Sequence, residues 1–140
     1  MENTKYIEIE DRFHRVLESN YNDEEKILIL HGDLVDVIRS SKELINGFKG
    51  MVLDHEWKND FEVLKDFEAK VNNLDTKYRE MFNGFIAISN NSSINMYGMY
   101  ELMNEALYLY KNIINYCFGK LLSKEKEESD HAYIHSGESP

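Results

Sequence analysis

The spacing of apolar residues in the middle of this 140-residue chain constrains its fold more than any other feature. From residue 64 to residue 88 an apolar residue recurs alternately every three and every four positions, and Trp57 and Phe61 extend the pattern upstream. This spacing places the residues on one face of an α-helix. A helix from about residue 54 to residue 89 would be roughly 50 Å long at 1.5 Å per residue. The residues that carry the pattern are Leu64, Phe67, Val71, Leu74, Tyr78, Met81, Phe85 and Ile88.

A second helix is predicted upstream by the same spacing. Asn22, followed three residues later by Glu25, has the form of an N-terminal capping box. Asp23 and Glu24 suit the positive end of the helix dipole. The apolar positions are Ile27, Leu30, Leu34, Val37, Leu44, Phe48 and Met51, with Ser41 filling the missing place.

The last long segment, from about residue 93 to residue 127, is apolar over more than half of its circumference. Such a helix is either wedged between the others or presents an apolar face to a partner. Its polar strip is narrow, and Tyr108 lies on this strip, so we expect Tyr108 to be exposed in a monomer. The strip contains Glu101, Asn104, Glu105, Lys111, Asn112 and Asn115.

Helix boundaries must come from glycine, serine and asparagine clusters, because the only proline is Pro140. Such clusters occur at residues 19–22, 47–50 and 89–93. A short amphipathic segment with Tyr6, Ile9, Phe13 and Val16 precedes them. We therefore predict an all-α fold, an elongated antiparallel bundle of three long helices plus a short N-terminal helix. Residues 1–122 form a single helical domain, and residues 123–140 form an acidic, mostly disordered tail in which the last helix frays by about residue 127.

Charge and cysteine content restrict the class of protein. The net charge of −10 argues against direct binding to nucleic acid, whose phosphates are neutralised by lysine and arginine. The sequence has neither a secretory signal pattern nor a long uncharged span, so we expect a cytoplasmic protein that does not enter a membrane. Cys117 lies in an apolar run and is expected to be a small core residue in a reducing compartment.

Two acidic doublets are the most enzyme-like feature. Glu8 and Asp11 form the first and Asp33 and Asp36 the second, each at a spacing that puts both carboxylates on one helix face. Two such doublets on packed helices could hold Mg²⁺ against a substrate phosphate. Residues 33–38, Asp-Leu-Val-Asp-Val-Ile, resemble the acidic helix motif of all-α nucleoside triphosphate pyrophosphatases of the MazG kind, although Asp33 stands where that family has Glu. The resemblance implies Mg²⁺-dependent hydrolysis of nucleotides as an alternative function.

Other catalytic machinery is not indicated. The glycines are isolated rather than grouped in a phosphate-binding loop, and no serine or cysteine stands in a nucleophile elbow. The only Glu-x-x-His match, Glu128 to His131, lies in the predicted tail. The sequence therefore predicts a protein without cofactor or metal that is not an enzyme.

Tyrosine and methionine are concentrated in the last helix, and both are enriched in protein interfaces. We therefore expect a non-enzymatic modulator or inhibitor, an acidic helical bundle that docks on another protein, with a basic nucleic-acid-binding surface as one target. Small size and acidity are typical of phage or mobile-element inhibitors, and a structural homo-oligomer is a further alternative. The interface candidates are Tyr97, Tyr100, Met103, Tyr108, Tyr110, Glu101 and Glu105.

Overall fold

The protein is all-α and forms a bundle of three long helices with a shorter helix in front, as the sequence predicts. The computed structural model describes the backbone of residues 2–54, 58–87 and 96–138, and side chains within 4–51, 60–82 and 96–121. These ranges contain four helices and no strand. The helices are α1 (Glu2–Glu18), α2 (Asp23–Asp54), α3 (Lys58–Ala87) and α4 (Met96–Glu138).

Side-chain contacts show that successive long helices run antiparallel. Between α2 and α3, Lys42 pairs with Asp75, whereas Lys49, further along α2, pairs with the earlier residue Glu68. Between α3 and α4, Lys77 pairs with Glu105 and Asp60 pairs with Lys120. Therefore α2 and α4 are parallel to each other. Among the residues that the structure describes, the contact between α2 and α4 is the most extensive one between helices.

The short helix α1 lies along α2 and α4 and runs antiparallel to both. Its Tyr6 ring is 6.2 Å from the Tyr110 ring, and its Phe13 ring is 6.2 Å from the ring of Tyr100. Within the described residues α1 makes no contact with α3. The outward side of α4 therefore lies between α1 on one flank and α3 on the other.

One continuous core joins all four helices. Ile9, Phe13 and Val16 of α1 are buried in it, at the 3,4 spacing that the sequence shows. The buried apolar residues of the long helices include Leu30, Leu34, Val37, Ile45, Phe48, Leu64, Val71, Leu74, Met99, Met103, Tyr110, Ile113, Ile114 and Cys117. Burying each such side chain contributes about 1.5–3 kcal/mol of hydrophobic free energy, so packing rather than local propensity fixes the fold.

The predicted cap of α2 is confirmed. The backbone N–H of Glu25 donates to Oδ1 of Asn22 at 2.9 Å. The side-chain amide of Asn22 in turn donates to the Glu25 carboxylate at 3.2 Å. Together these bonds satisfy a free backbone donor of the first turn and fix where the chain enters α2.

One predicted break is wrong. The sequence places a boundary at residues 47–50, but α2 passes through them and ends at Asp54. Ile45 and Phe48 are buried there, so tertiary packing overrides the low helix propensity of Gly47 and Gly50. The predicted break at residues 89–93 lies outside the described residues.

The far end of α4 also differs from the expectation. The backbone is helical to Glu138, whereas the sequence predicts a mostly disordered tail over residues 123–140 in which the helix frays by about residue 127. The stretch SKEKEES is rich in lysine and glutamate, which are good helix formers, and no proline interrupts it before Pro140. Helical conformation can therefore propagate without an apolar stripe. The division into a domain and a tail stays a prediction.

Candidate protein interface

The two acidic doublets are not brought together into a metal site. Asp33 is buried and lies against Arg12 of α1, with Nε of Arg12 3.0 Å from Oδ1 of Asp33. Asp36 is half-exposed and pairs with Arg39 one turn later. Among the residues whose side chains the structure describes, no group of three or more His, Cys, Asp or Glu side chains could hold a metal ion.

Asp33 instead joins two helices. Burial raises the pKa of its carboxyl group above the ordinary value, while the charge and hydrogen bond of Arg12 oppose that rise. Asp33 therefore depends on Arg12 to stay ionised with only a small free-energy penalty. Both other members of the doublets, Glu8 and Asp11, are exposed on α1.

The single cysteine is a core residue, as expected. Cys117 is fully buried, and burial raises the pKa of its thiol to about 12. A thiol with so high a pKa stays protonated near neutral pH and is a poor nucleophile. Its role is packing within α4.

Two of the seven interface candidates belong to the core. Met103 and Tyr110 have no exposed surface, so neither can contact a partner while the bundle is folded. Tyr100 is half-buried against Phe13 of α1. The sequence could not separate these residues from surface ones because α4 is apolar on the sides facing α1, α2 and α3.

The other four candidates are at the surface. Tyr97 is 66% exposed and Tyr108 is 70% exposed, as expected for Tyr108 from its place on the polar strip. Glu101 and Glu105 are exposed as well, and Glu105 lies 3.6 Å from the ammonium group of Lys77 on α3. Tyrosine is enriched among the residues that contribute most to protein binding, so these residues stay interface candidates.

The exposed side of α4 repeats the spacing of a helix seam. Starting at Tyr97, exposed residues follow at alternate intervals of four and three, on the side turned away from α2. We call this row the α4 strip, and it consists of Tyr97, Glu101, Asn104, Tyr108, Lys111 and Asn115.

A groove of about 360 Å³ runs between the α4 strip and α1. Glu10 and His14 line it from α1, and Asn104, Tyr108 and Lys111 line it from α4. Its walls therefore carry an acid, a base, an imidazole and a phenol. No ion pair between Glu10 and Lys111 closes the groove within the described part of the chain.

The outward side of α1 is a surface that the sequence analysis missed. Ile7 is 54% exposed and Leu17 is 37% exposed, although both are large aliphatic residues. Acids with no ion-pair partner among the described residues lie between them. We call this surface the α1 face, and it consists of Ile7, Glu10, Asp11, His14, Leu17 and Glu18. Ile7 and Leu17 do not fit the 3,4 spacing of Ile9, Phe13 and Val16. This departure from the spacing could have indicated the α1 face from the sequence.

Comparisons with protein-family models, with curated proteins and with solved structures find no match to this chain. None of the helices, as far as the structure describes them, is both long and apolar enough to cross a membrane.

Proposed function

We propose that this protein is a non-enzymatic binding module whose α1 face docks on a basic surface of another protein and thereby modulates it. The observation that carries the proposal is the alternation, on one short helix, of exposed aliphatic side chains with carboxylates that have no ion-pair partner among the described residues. Apolar contacts supply binding free energy, whereas unpaired charges steer the encounter and select the partner.

The distribution of charge supports a basic partner. Most described bases of the long helices lie in ion pairs, such as Lys42 with Asp75 and Lys49 with Glu68. By contrast, the acids from residue 8 to residue 25 are largely unpaired in the described part of the chain, and the whole protein carries a net charge of −10. The negative potential is therefore concentrated at α1 and the start of α2. Such a surface fits a lysine- and arginine-rich site that otherwise binds nucleic acid.

The α1 face is held in place before binding. Ile9, Phe13 and Val16 anchor the opposite side of the helix in the core, and Arg12 ties it to Asp33 of α2. A rigid face loses little conformational entropy when it docks. Two of the side chains capable of chemistry have structural roles, since Asp33 is paired with Arg12 and Cys117 is buried.

The experiment compares capture by three forms of the tagged protein. The first is the natural chain, the second carries Asp11→Asn with Glu18→Gln on the α1 face, and the third carries Glu43→Gln with Glu80→Gln. All four residues are exposed, so both double variants remove the same charge from the surface. Bound proteins are identified by mass spectrometry, and the dissociation constant of the purified partner is measured at two salt concentrations.

We expect a partner with a basic surface whose affinity falls at high salt, because exposed charges are screened within about 8–10 Å. The α1-face variant should bind at least about tenfold more weakly, while the Glu43 and Glu80 variant stays near the natural chain. A partner that binds both double variants equally well would rule out the α1 face, and failure to capture any partner would rule out the binding module.

A further inference from the structure

The α4 strip has the residue spacing of a coiled-coil seam, and its side chains stay exposed beside the parts of the other helices that the structure describes. Its residues recur at intervals of four, three, four, three and four, the spacing that brings one edge of a helix against another helix. All six side chains are exposed. The flanking helices α1 and α3 do not touch one another within the described residues, so the strip faces outward between them.

Two residues of the α4 strip, Glu101 and Lys111, carry a charge. Neither Glu101 nor Lys111 lies within an ion pair among the described residues, in contrast to Glu105 beside Lys77. Glu101 and Lys111 are ten positions apart in sequence, which corresponds to about 15 Å along α4. They have opposite charge and both are exposed, but they cannot reach each other on one straight helix.

We propose that a second copy of this chain packs on the α4 strip, with the two α4 helices antiparallel and related by a two-fold axis level with residue 106. This register sets Glu101 opposite Lys111 of the second copy, and the symmetry repeats the pair. Asn104 then faces Tyr108 of the second copy, so an amide can hydrogen-bond the phenol. The strip is thus complementary to itself, as an isologous interface requires.

The charges of Glu101 and Lys111 also disfavour the other ways in which two α4 helices could pair. A parallel pair would place Glu101 against Glu101 and Lys111 against Lys111, which is repulsive. An antiparallel pair displaced by one heptad would set Glu101 against Asn104 and Tyr97 against Tyr108, and both charges would lose their partners. Only the register centred on residue 106 pairs every charge of the strip.

The register is tested directly by carbodiimide cross-linking of the natural protein, because this reagent joins a carboxylate to an amine in contact. A mixture of chains labelled with nitrogen-14 and nitrogen-15 is cross-linked and digested, and the peptides are identified by mass spectrometry. We expect a Glu101–Lys111 link with mixed labels and, by light scattering, a particle of about twice the 16.5 kDa chain mass. A monomer at all concentrations, or a dimer without this link, overturns the proposal.

Charge exchange provides a second test that does not depend on cross-linking yield. Glu101→Lys and Lys111→Glu, each alone, should raise the dissociation constant of the dimer by about tenfold or more. The double exchange restores the pair and should return the constant to near its natural value. Glu43→Lys, an exposed acid on α2, is the matched control and should leave the dimer unchanged. If the double exchange dimerises no better than the single variants, the register is wrong. This proposal is independent of the α1 face, because it rests on α4 and is measured without any other protein.

Discussion

Nε of Arg12 on α1 lies 3.0 Å from Oδ1 and 3.1 Å from Oδ2 of Asp33 on α2. The carboxylate is buried, whereas the Arg12 side chain is about half exposed at 49%. This ion pair, at the edge of the core, therefore helps to hold the short helix that carries the α1 face. The stability of α1 should therefore respond to both substitution and pH.

Arg12→Ala should reduce the free energy of unfolding by about 1–3 kcal/mol, because Asp33 would keep a buried charge without its partner. Burial raises the pKa of Asp33 in the folded state. Above that pKa the buried carboxylate is charged and destabilises the fold, and below it the carboxyl group is protonated and this destabilisation disappears. The loss caused by Arg12→Ala should therefore shrink as the pH falls from 7 towards 4. Urea unfolding at several pH values measures this. In an Asp33→Asn background, Arg12→Ala should cause a loss of stability that does not depend on pH. If the loss caused by Arg12→Ala were also independent of pH in the natural chain, the role given to the Arg12–Asp33 ion pair would be wrong.

A second pH dependence should come from His31 on α2. Its ring lies 4.6 Å from Phe82 and 5.4 Å from Tyr78 of α3, measured between centroids, and burial lowers its pKa. A base with a lowered pKa stabilises the fold above its unfolded pKa of about 6.5 and loses that stabilisation as the pH falls. The natural protein should therefore become less stable between pH 7.5 and pH 5. The slope should be smaller in His31→Phe, and an unchanged slope would exclude His31 as its source.

The Tyr78 hydroxyl, 2.8 Å from Nε2 of His31, should contribute its own increment. Tyr78→Phe should lower the free energy of unfolding by about 0.5–1.5 kcal/mol through loss of this hydrogen bond. Tyr108→Phe makes the same chemical change at a side chain that is 70% exposed and should have little effect. Equal losses in the two variants would show that the bond to His31 is not stabilising.

Leu30 and Leu28 provide a sharp test of the core, because they are two residues apart on α2. Leu30 is fully buried and Leu28 is 68% exposed. Leu30→Ala should lower the free energy of unfolding by about 2–5 kcal/mol, whereas Leu28→Ala should change it by less than about 0.5 kcal/mol. Chemical denaturation of both variants decides between this packing and one in which α2 is rotated about its axis.

The glycines inside α2 should be replaceable with a gain in stability. A Cβ atom built at Gly47 or at Gly50 meets no atom within 4 Å. Alanine is about 0.8–1.0 kcal/mol more favourable than glycine in a helix interior, so Gly47→Ala should raise the thermal midpoint. A lower midpoint would indicate that the helix is interrupted at residues 47–50, as the sequence suggests.

The periodicity of the chain was sufficient to predict most of the fold. Apolar residues at alternate intervals of three and four required helices, and Asn22 with Glu25 marked the start of α2 because the cap is a local interaction. The break at Gly47 and Gly50 could not be assigned correctly, since only the burial of Ile45 and Phe48 keeps that stretch helical. Local propensity and tertiary packing disagree there, and packing prevails.

The candidate site was less predictable. Tyr108 and Tyr110 are two residues apart and of the same type, yet one is 70% exposed and the other is fully buried. Tyr110 is covered because Tyr6 of α1 packs against it, and the sequence alone does not indicate where α1 lies on α4. The α1 face was missed for a related reason, because Ile7 and Leu17 could be recognised as surface residues only once Ile9, Phe13 and Val16 were known to face the core.

The parallel arrangement of α2 and α4 has a consequence for the order of folding. The α2–α3 and α3–α4 contacts join helices adjacent in sequence, whereas the largest interface joins two helices separated by the whole of α3. To bring α2 and α4 together, the chain between them must close into a long loop. The conformational entropy lost in this closure is not compensated until the contacts form. The two hairpins should therefore form early and the α2–α4 seam late. Substitutions confined to that seam would then accelerate unfolding more than they slow folding.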